Sequence, residues 1–148
     1  MRRLSFVTVG LLTACAARPA TVPSPASSER LLTARIVAMS ATMPRIAGTI
    51  TMKPTDDESY GVSFELRGAR ANSQLEWAVR PGRCGVVVPD SDIGGRDAYR
   101  PIRIQLDGET HVTMKLRARL PDEVLRIDLM TDPGLRENVI ACGLLESR

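Results

Sequence analysis

Apolar and polar residues alternate along most of this chain. Ile46, Gly48, Ile50 and Met52 interleave with Ala47, Thr49, Thr51 and Lys53. Val62, Phe64 and Leu66 interleave with Ser63, Glu65 and Arg67, and Leu75, Trp77 and Val79 with Glu76, Ala78 and Arg80. A period of two sends one set to a core and the other to solvent, which predicts three β-strands. Pro54 to Ser59 and Gly68 to Asn72 supply the turns between them. Ile102 to Leu106, then Asp107-Gly108, then a strand carrying Val112, Met114, Leu116 and Ala118, predicts a hairpin with a type I′ turn. Val124 to Met130 and Asn138 to Leu145 predict two further strands, while Leu32 to Met39 reads either as a first strand or as more linker. No stretch of a dozen residues has helical periodicity. Short strands at regular spacing, divided by turn signals, predict an all-β sandwich or barrel.

The start of the chain follows another pattern. Arg2 and Arg3 precede a short apolar run from Leu4 to Leu12, too brief to cross a bilayer as a helix. It closes on Leu12-Thr13-Ala14-Cys15, which resembles the lipobox of bacterial lipoproteins. That resemblance implies a signal peptide over residues 1–14, acylation of Cys15 as the mature N-terminus, and stable membrane attachment through more than one acyl chain. Ala16 stands where inner-membrane lipoproteins usually carry Asp, so the resemblance favours the outer membrane, facing the periplasm. An ordinary secretory peptide, with Cys15 unmodified, is the competing interpretation. Residues 15–30 then form a tether, since 16–28 hold three prolines among Ala, Ser and Thr and cannot build a core. At about 3.1 Å per residue it reaches roughly 40 Å from the lipid. Residues 31–148 remain for one domain.

Composition narrows the function. Loss of Arg2 and Arg3 lowers the formal charge from +3 to about +1, so the pI of 9.1 does not argue for nucleic-acid binding. Beyond the signal region the aromatics are Tyr60, Phe64, Trp77 and Tyr99, too few for platforms that stack bases or sugars. With Cys15 assigned to lipid, Cys84 and Cys142 are an even pair in an oxidising compartment. Joining them closes a loop worth about 4 kcal/mol in the chain-entropy model. Two free thiols is the alternative.

Two segments resemble Cu/Zn superoxide dismutases and related superoxide-dismutase-like (CHRD-type) domains. Trp77-Ala78-Val79-Arg80-Pro81-Gly82-Arg83-Cys84 is similar to the strand where those enzymes carry His-x-His before a glycine and a cysteine. Val139-Ile140-Ala141-Cys142-Gly143-Leu144-Leu145 is similar to their last strand, where Ala-Cys-Gly supplies the disulfide partner. The resemblance covers Ile46 to Leu145 and implies a Greek-key, immunoglobulin-like β-sandwich with Cys84 joined to Cys142. It also locates the departures. Ala78 and Arg80 stand at the two histidine positions, Met130 is the nearest candidate for another copper ligand, and His111 is the only histidine, in a strand with no matching ligand. One imidazole cannot hold copper and a bridging zinc. The expectation is no metal, no cofactor and no superoxide turnover, with Ala78 and Arg80 on the face opposite Leu75, Trp77 and Val79.

Other constellations carry less chemistry. Asp56-Asp57-Glu58, and Asp90, Asp92 and Asp97 beside Gly94-Gly95, lack the oxygen spacing of a calcium loop and read as solvated turns. No serine sits in a nucleophile elbow, and cysteine catalysis lacks a free thiol and a second histidine. Met39, Met43, Met52, Met114 and Met130 are dispersed and read as core filler rather than a copper(I) site. Arg103, His111, Lys115, Arg117 and Arg119 make a basic stripe that reads as a solvated sheet face. The loop from Val86 to Pro101 is the longest irregular stretch. Together with Arg80, Arg83 and Arg100 it is the candidate binding surface. The sequence therefore predicts a membrane-anchored, non-catalytic envelope lipoprotein with a binding or structural role and an unidentified envelope partner. A diverged metal protein, either a superoxide dismutase or a copper carrier using Met and His111, is the alternative. An inhibitor or subunit docked on a larger envelope complex is a variant of the first.

Overall fold

The computed structural model describes residues 30–40, 45–86, 91–131 and 138–147. The predicted signal peptide, the predicted lipidation site Cys15 and the predicted tether up to residue 29 lie outside the described residues. Eight strands follow in chain order: β1 Leu32–Ala38, β2 Ala47–Asp56, β3 Ser59–Arg67, β4 Gln74–Pro81, β5 Ile102–Arg103, β6 Thr110–Arg117, β7 Leu125–Met130 and β8 Val139–Ser147. A 3-10 turn, Arg96–Ala98, lies between β4 and β5. Leu32 onward is thus a strand, paired with β2 on one side and β8 on the other.

All pairings are antiparallel, in the order β5-β4-β7-β8-β1-β2-β3-β6. β3 and β4 stand far apart in that order, yet the Phe64 ring of β3 meets the Trp77 ring of β4 edge-on, centroids 4.9 Å apart. The sheet is therefore folded over, with the apolar set of each strand turned inward. Ile50, Met52, Val62, Phe64, Trp77 and Leu116 are all fully buried, and each such side chain contributes roughly 1.5–3 kcal/mol relative to exposure. The predicted alternation holds in β2, β3 and β6. Met52 and Met114 flank Val62 in one inward row, two strands apart, which is the position of core filler.

The expected hairpin needs correction. β5 pairs with β4, and β6 pairs along its whole length with β3. What joins β5 to β6 is a local turn, closed by Gly108 N–H to the Gln105 carbonyl at 3.1 Å and Gln105 N–H to the Glu109 carbonyl at 3.0 Å. Type I′ requires positive φ at both central residues. Here only Gly108 is left-handed, at φ 78°, and the Asp107 carboxylate accepts the Glu109 N–H at 2.9 Å. Beyond that turn each segment takes a longer partner, and the two edges of the sheet stay close without forming a ladder.

The predicted disulfide is present. Cys84, just past β4, is bonded to Cys142 of β8, with Cα atoms 5.9 Å apart. β8 packs tightly against β1 at this level, since a Cβ on Gly143 would lie 2.6 Å from the Arg35 carbonyl oxygen. Glycine is required there by space alone.

Candidate functional site

β4 and β7, like the middle of β8, are buried on both faces. Leu75, Trp77 and Val79 point into the main core, as predicted, and Ala78 and Arg80 point the other way. That second face is closed from solvent: Ala78 is fully buried and Arg80 only 6% exposed. All six residues of β7 are buried, including Arg126 and Asp128. Arg80, expected on a binding surface, is instead an interior residue. Desolvation of a guanidinium is costly unless it is paired and hydrogen-bonded, and the surrounding chain supplies the partners.

Register brings like charges together. Arg80 lies directly across from Arg126, a juxtaposition that is unfavourable by itself. The Asp128 carboxylate compensates for both. Its Oδ2 accepts from Arg80 Nη1 at 3.3 Å and from Arg126 Nε at 3.0 Å. On its other side Arg80 Nε donates to Asp92 Oδ1 at 2.7 Å, and Arg80 Nη2 reaches the Met130 sulfur at 3.8 Å. Arg126 Nη1 donates to the carbonyls of Arg83, at 2.9 Å, and Pro81, at 3.2 Å. Two guanidiniums and two carboxylates thus make a charge-neutral cluster that fastens the turn after β4 and the 91–101 segment to the sheet. Asp92, expected to be a solvated loop residue, has a side chain only 7% exposed.

The 91–101 segment is held at several further points. Ile93 N–H donates to the Val79 carbonyl at 3.0 Å. The Tyr99 hydroxyl accepts from Val79 N–H at 3.2 Å and donates to the Ile93 carbonyl. Trp77 Nε1 donates to the Arg100 carbonyl at 2.8 Å, and the Trp77 and Tyr99 rings meet edge-on at 4.8 Å. Beyond its short pairing with β5, β4 therefore has its outer edge closed by this loop instead of by another strand. Burial of the Tyr99 phenol pushes its pKa up to about 12, because the phenolate would lose its water. The loop also reaches the end of β6. Gly94 has φ 86°, and a Cβ there would stand 2.9 Å from that of Ala118.

The remaining predicted residues are dispersed. Arg83 and Arg100 are exposed, and Arg80 joins neither at the surface. The Arg100 side chain lines an open groove of about 710 Å3 between the loop and β6, with Asp97, Thr113, Lys115 and Arg117. His111 is exposed on the outer face of β6, across from Glu65 of β3. Asp56 ends β2 at the turn into β3, where it accepts Glu58 N–H at 3.1 Å and meets Lys115 Nζ at 3.3 Å. Hydrogen bonds from the Ser59 hydroxyl and the Glu58 amide, then the Lys115 ammonium, hold its carboxyl below the usual value.

Copper and zinc do not fit the donor set at the β4 face. The groups there are Ala78, two guanidiniums, two carboxylates already spent on them, and a thioether that Arg80 touches. Among the described residues no group of three or more His, Cys, Asp or Glu side chains could hold a metal ion. Sequence reading missed Arg126 and Asp128, because charges at alternate positions of a strand read as a solvated face. No family model matches the chain, and no curated protein is significantly similar to it.

Proposed function

We propose that this chain is a non-catalytic lipoprotein of the bacterial envelope. It is anchored through an acylated Cys15, faces the periplasm from the outer membrane, and carries a superoxide-dismutase-like Greek-key sandwich with a binding or structural role. Three features support the scaffold: strands numbered 1, 2, 3 and 6 on one side of the strand order and 4, 5, 7 and 8 on the other, a disulfide from the turn after β4 to β8, and the motifs around both cysteines. The observation that carries the function is the Arg80–Asp92–Asp128–Arg126 cluster. Where the resembled enzymes mount copper, this chain sets two guanidiniums whose carboxylate partners are already engaged, which leaves no free donor for a metal ion and binds the loops down.

The test is refolding in the presence of copper and zinc, followed by elemental analysis and a superoxide assay. Substoichiometric metal and no turnover are expected. One copper per chain with turnover would overturn the reading. The anchor has its own test, since mass spectrometry of the mature protein is expected to find acylated Cys15 as the first residue, and Cys15→Ser to release the protein from the membrane fraction.

A further inference from the structure

The two edges of the sheet are finished differently. The β4 edge is covered by β5 and by the 91–101 segment, as described. β6 ends the strand order on the other side, and its phase follows from one bond. Ala118 N–H donates to the Glu58 carbonyl at 2.9 Å, and the β3–β6 register runs without a slip from Ser59↔Arg117 to Leu66↔Thr110. In an antiparallel ladder, residues alternate between facing the partner strand and facing away from it. Residues 110, 112, 114, 116 and 118 thus direct their amide and carbonyl groups at β3, and His111, Thr113, Lys115 and Arg117 direct theirs outward. The Arg117 carbonyl lies against Gly94 of the fixed loop, whereas among the described residues no backbone hydrogen bond reaches the outward groups of His111, Thr113 and Lys115.

That outward edge borders the groove beside Arg100, where Arg100, Lys115 and Arg117 stand against one carboxylate, Asp97. Lys115 also meets Asp56, but both side chains are about half exposed, and such a pair is weak and exchangeable. We infer that β6 is a docking edge for an extended acidic segment of another envelope protein, which adds as a ninth strand. Backbone groups would supply the pairing, and alternating carboxylates on the segment would meet Lys115 and Arg117. A second copy of this chain is the poorer occupant. Antiparallel pairing of β6 with itself about Met114 sets Lys115 opposite Thr113 and Arg117 opposite His111, so neither cation meets a carboxylate and the two Lys115 side chains become diagonal neighbours on one face. Basic side chains on an edge discourage self-association while leaving an acidic strand accepted.

This inference rests on the proposed binding role, and its failure would be distinct: metal with turnover sinks the role, whereas the probes below address the edge alone. The probe is a fluorescein-labelled heptapeptide alternating Glu with Val, compared by anisotropy on the full chain in mild detergent. The controls are its Lys-for-Glu counterpart and a version N-methylated at alternate amides. The acidic peptide is expected to bind at least about tenfold tighter than either control, more weakly at high salt, and with shifts at the amides of residues 111 to 117. Thr113→Pro removes an outward N–H from an edge position, where proline is tolerated, and should lose binding about tenfold. Lys115→Glu with Arg117→Glu gives the same loss without touching the backbone, and decides the matter if Thr113→Pro does not fold. Equal binding of the N-methylated peptide would reduce the edge to a charged patch. No binding of the acidic peptide, or dimerisation of the chain through β6, would overturn the inference.

Discussion

Replacing Asp128 by Ala tests whether the interior charges carry the stability assigned to them. The variant leaves Arg126, 2% exposed, with only the carbonyls of Pro81 and Arg83, directly across from Arg80. Removing one partner from a buried ion pair typically costs about 3–5 kcal/mol, because an uncompensated charge remains. Against a total stability of about 5–15 kcal/mol for an ordinary domain, that is a large fraction. Urea unfolding followed by the emission of Trp77, the only tryptophan, reads the loss directly. With a slope of about 1–3 kcal/mol per molar, the midpoint should fall by about 2 M. The double variant Asp128→Leu/Arg126→Met removes one charge of each sign and keeps the Arg80–Asp92 pair, so it should recover most of the loss. A cost below about 1 kcal/mol for Asp128→Ala, as an exposed pair would give, would refute the reasoning. So would a double variant no more stable than the single one.

Tyr99 makes stability fall on the alkaline side. Its folded pKa lies above the unfolded value of about 10, so the contribution is complete below pH 10 and is lost as pH rises toward 12, by about 3 kcal/mol in all. Unfolding free energies at pH 9 and 11 should differ by less in Tyr99→Phe than in the parent. Replacing Cys84 and Cys142 together by Ala should cost about 4 kcal/mol, measured as a lower thermal midpoint, while reduction of the parent gives the same shift. Gly94→Ala combines a positive φ with a 2.9 Å contact to Ala118, and should destabilise by about 1–3 kcal/mol in the same urea assay.

Most strands could be read from alternation because a folded-over antiparallel sheet has one wet face nearly everywhere. β2, β3 and β6 obey it, and so do their inward residues Ile50, Phe64 and Leu116. The rule fails where a strand is covered on both sides. Arg80 and Arg126 have the spacing of solvent residues, and nothing within β4 or β7 tells that loops fold over them. Strand partners were equally hidden. The Asp107-Gly108 signal encodes a turn, but the choice of β4 for β5 and β3 for β6 is made by the rest of the sheet. Cysteine parity led to the disulfide because it depends on compartment chemistry and not on local pattern. Arg83 and Arg100 were correctly read as surface residues, and the edge beside Arg100 was not, since an unpaired strand side is visible only once every pairing is known.

The position of β1 has a mechanical consequence. It is the fifth strand of eight and is bonded along both sides, to β8 and to β2. Tension entering through the N-terminal segment would therefore pull lengthwise on an inner strand, loading many rungs in shear at once instead of peeling them singly from a margin. A body hung from a moving support by such a strand resists traction best along the direction from which it is held.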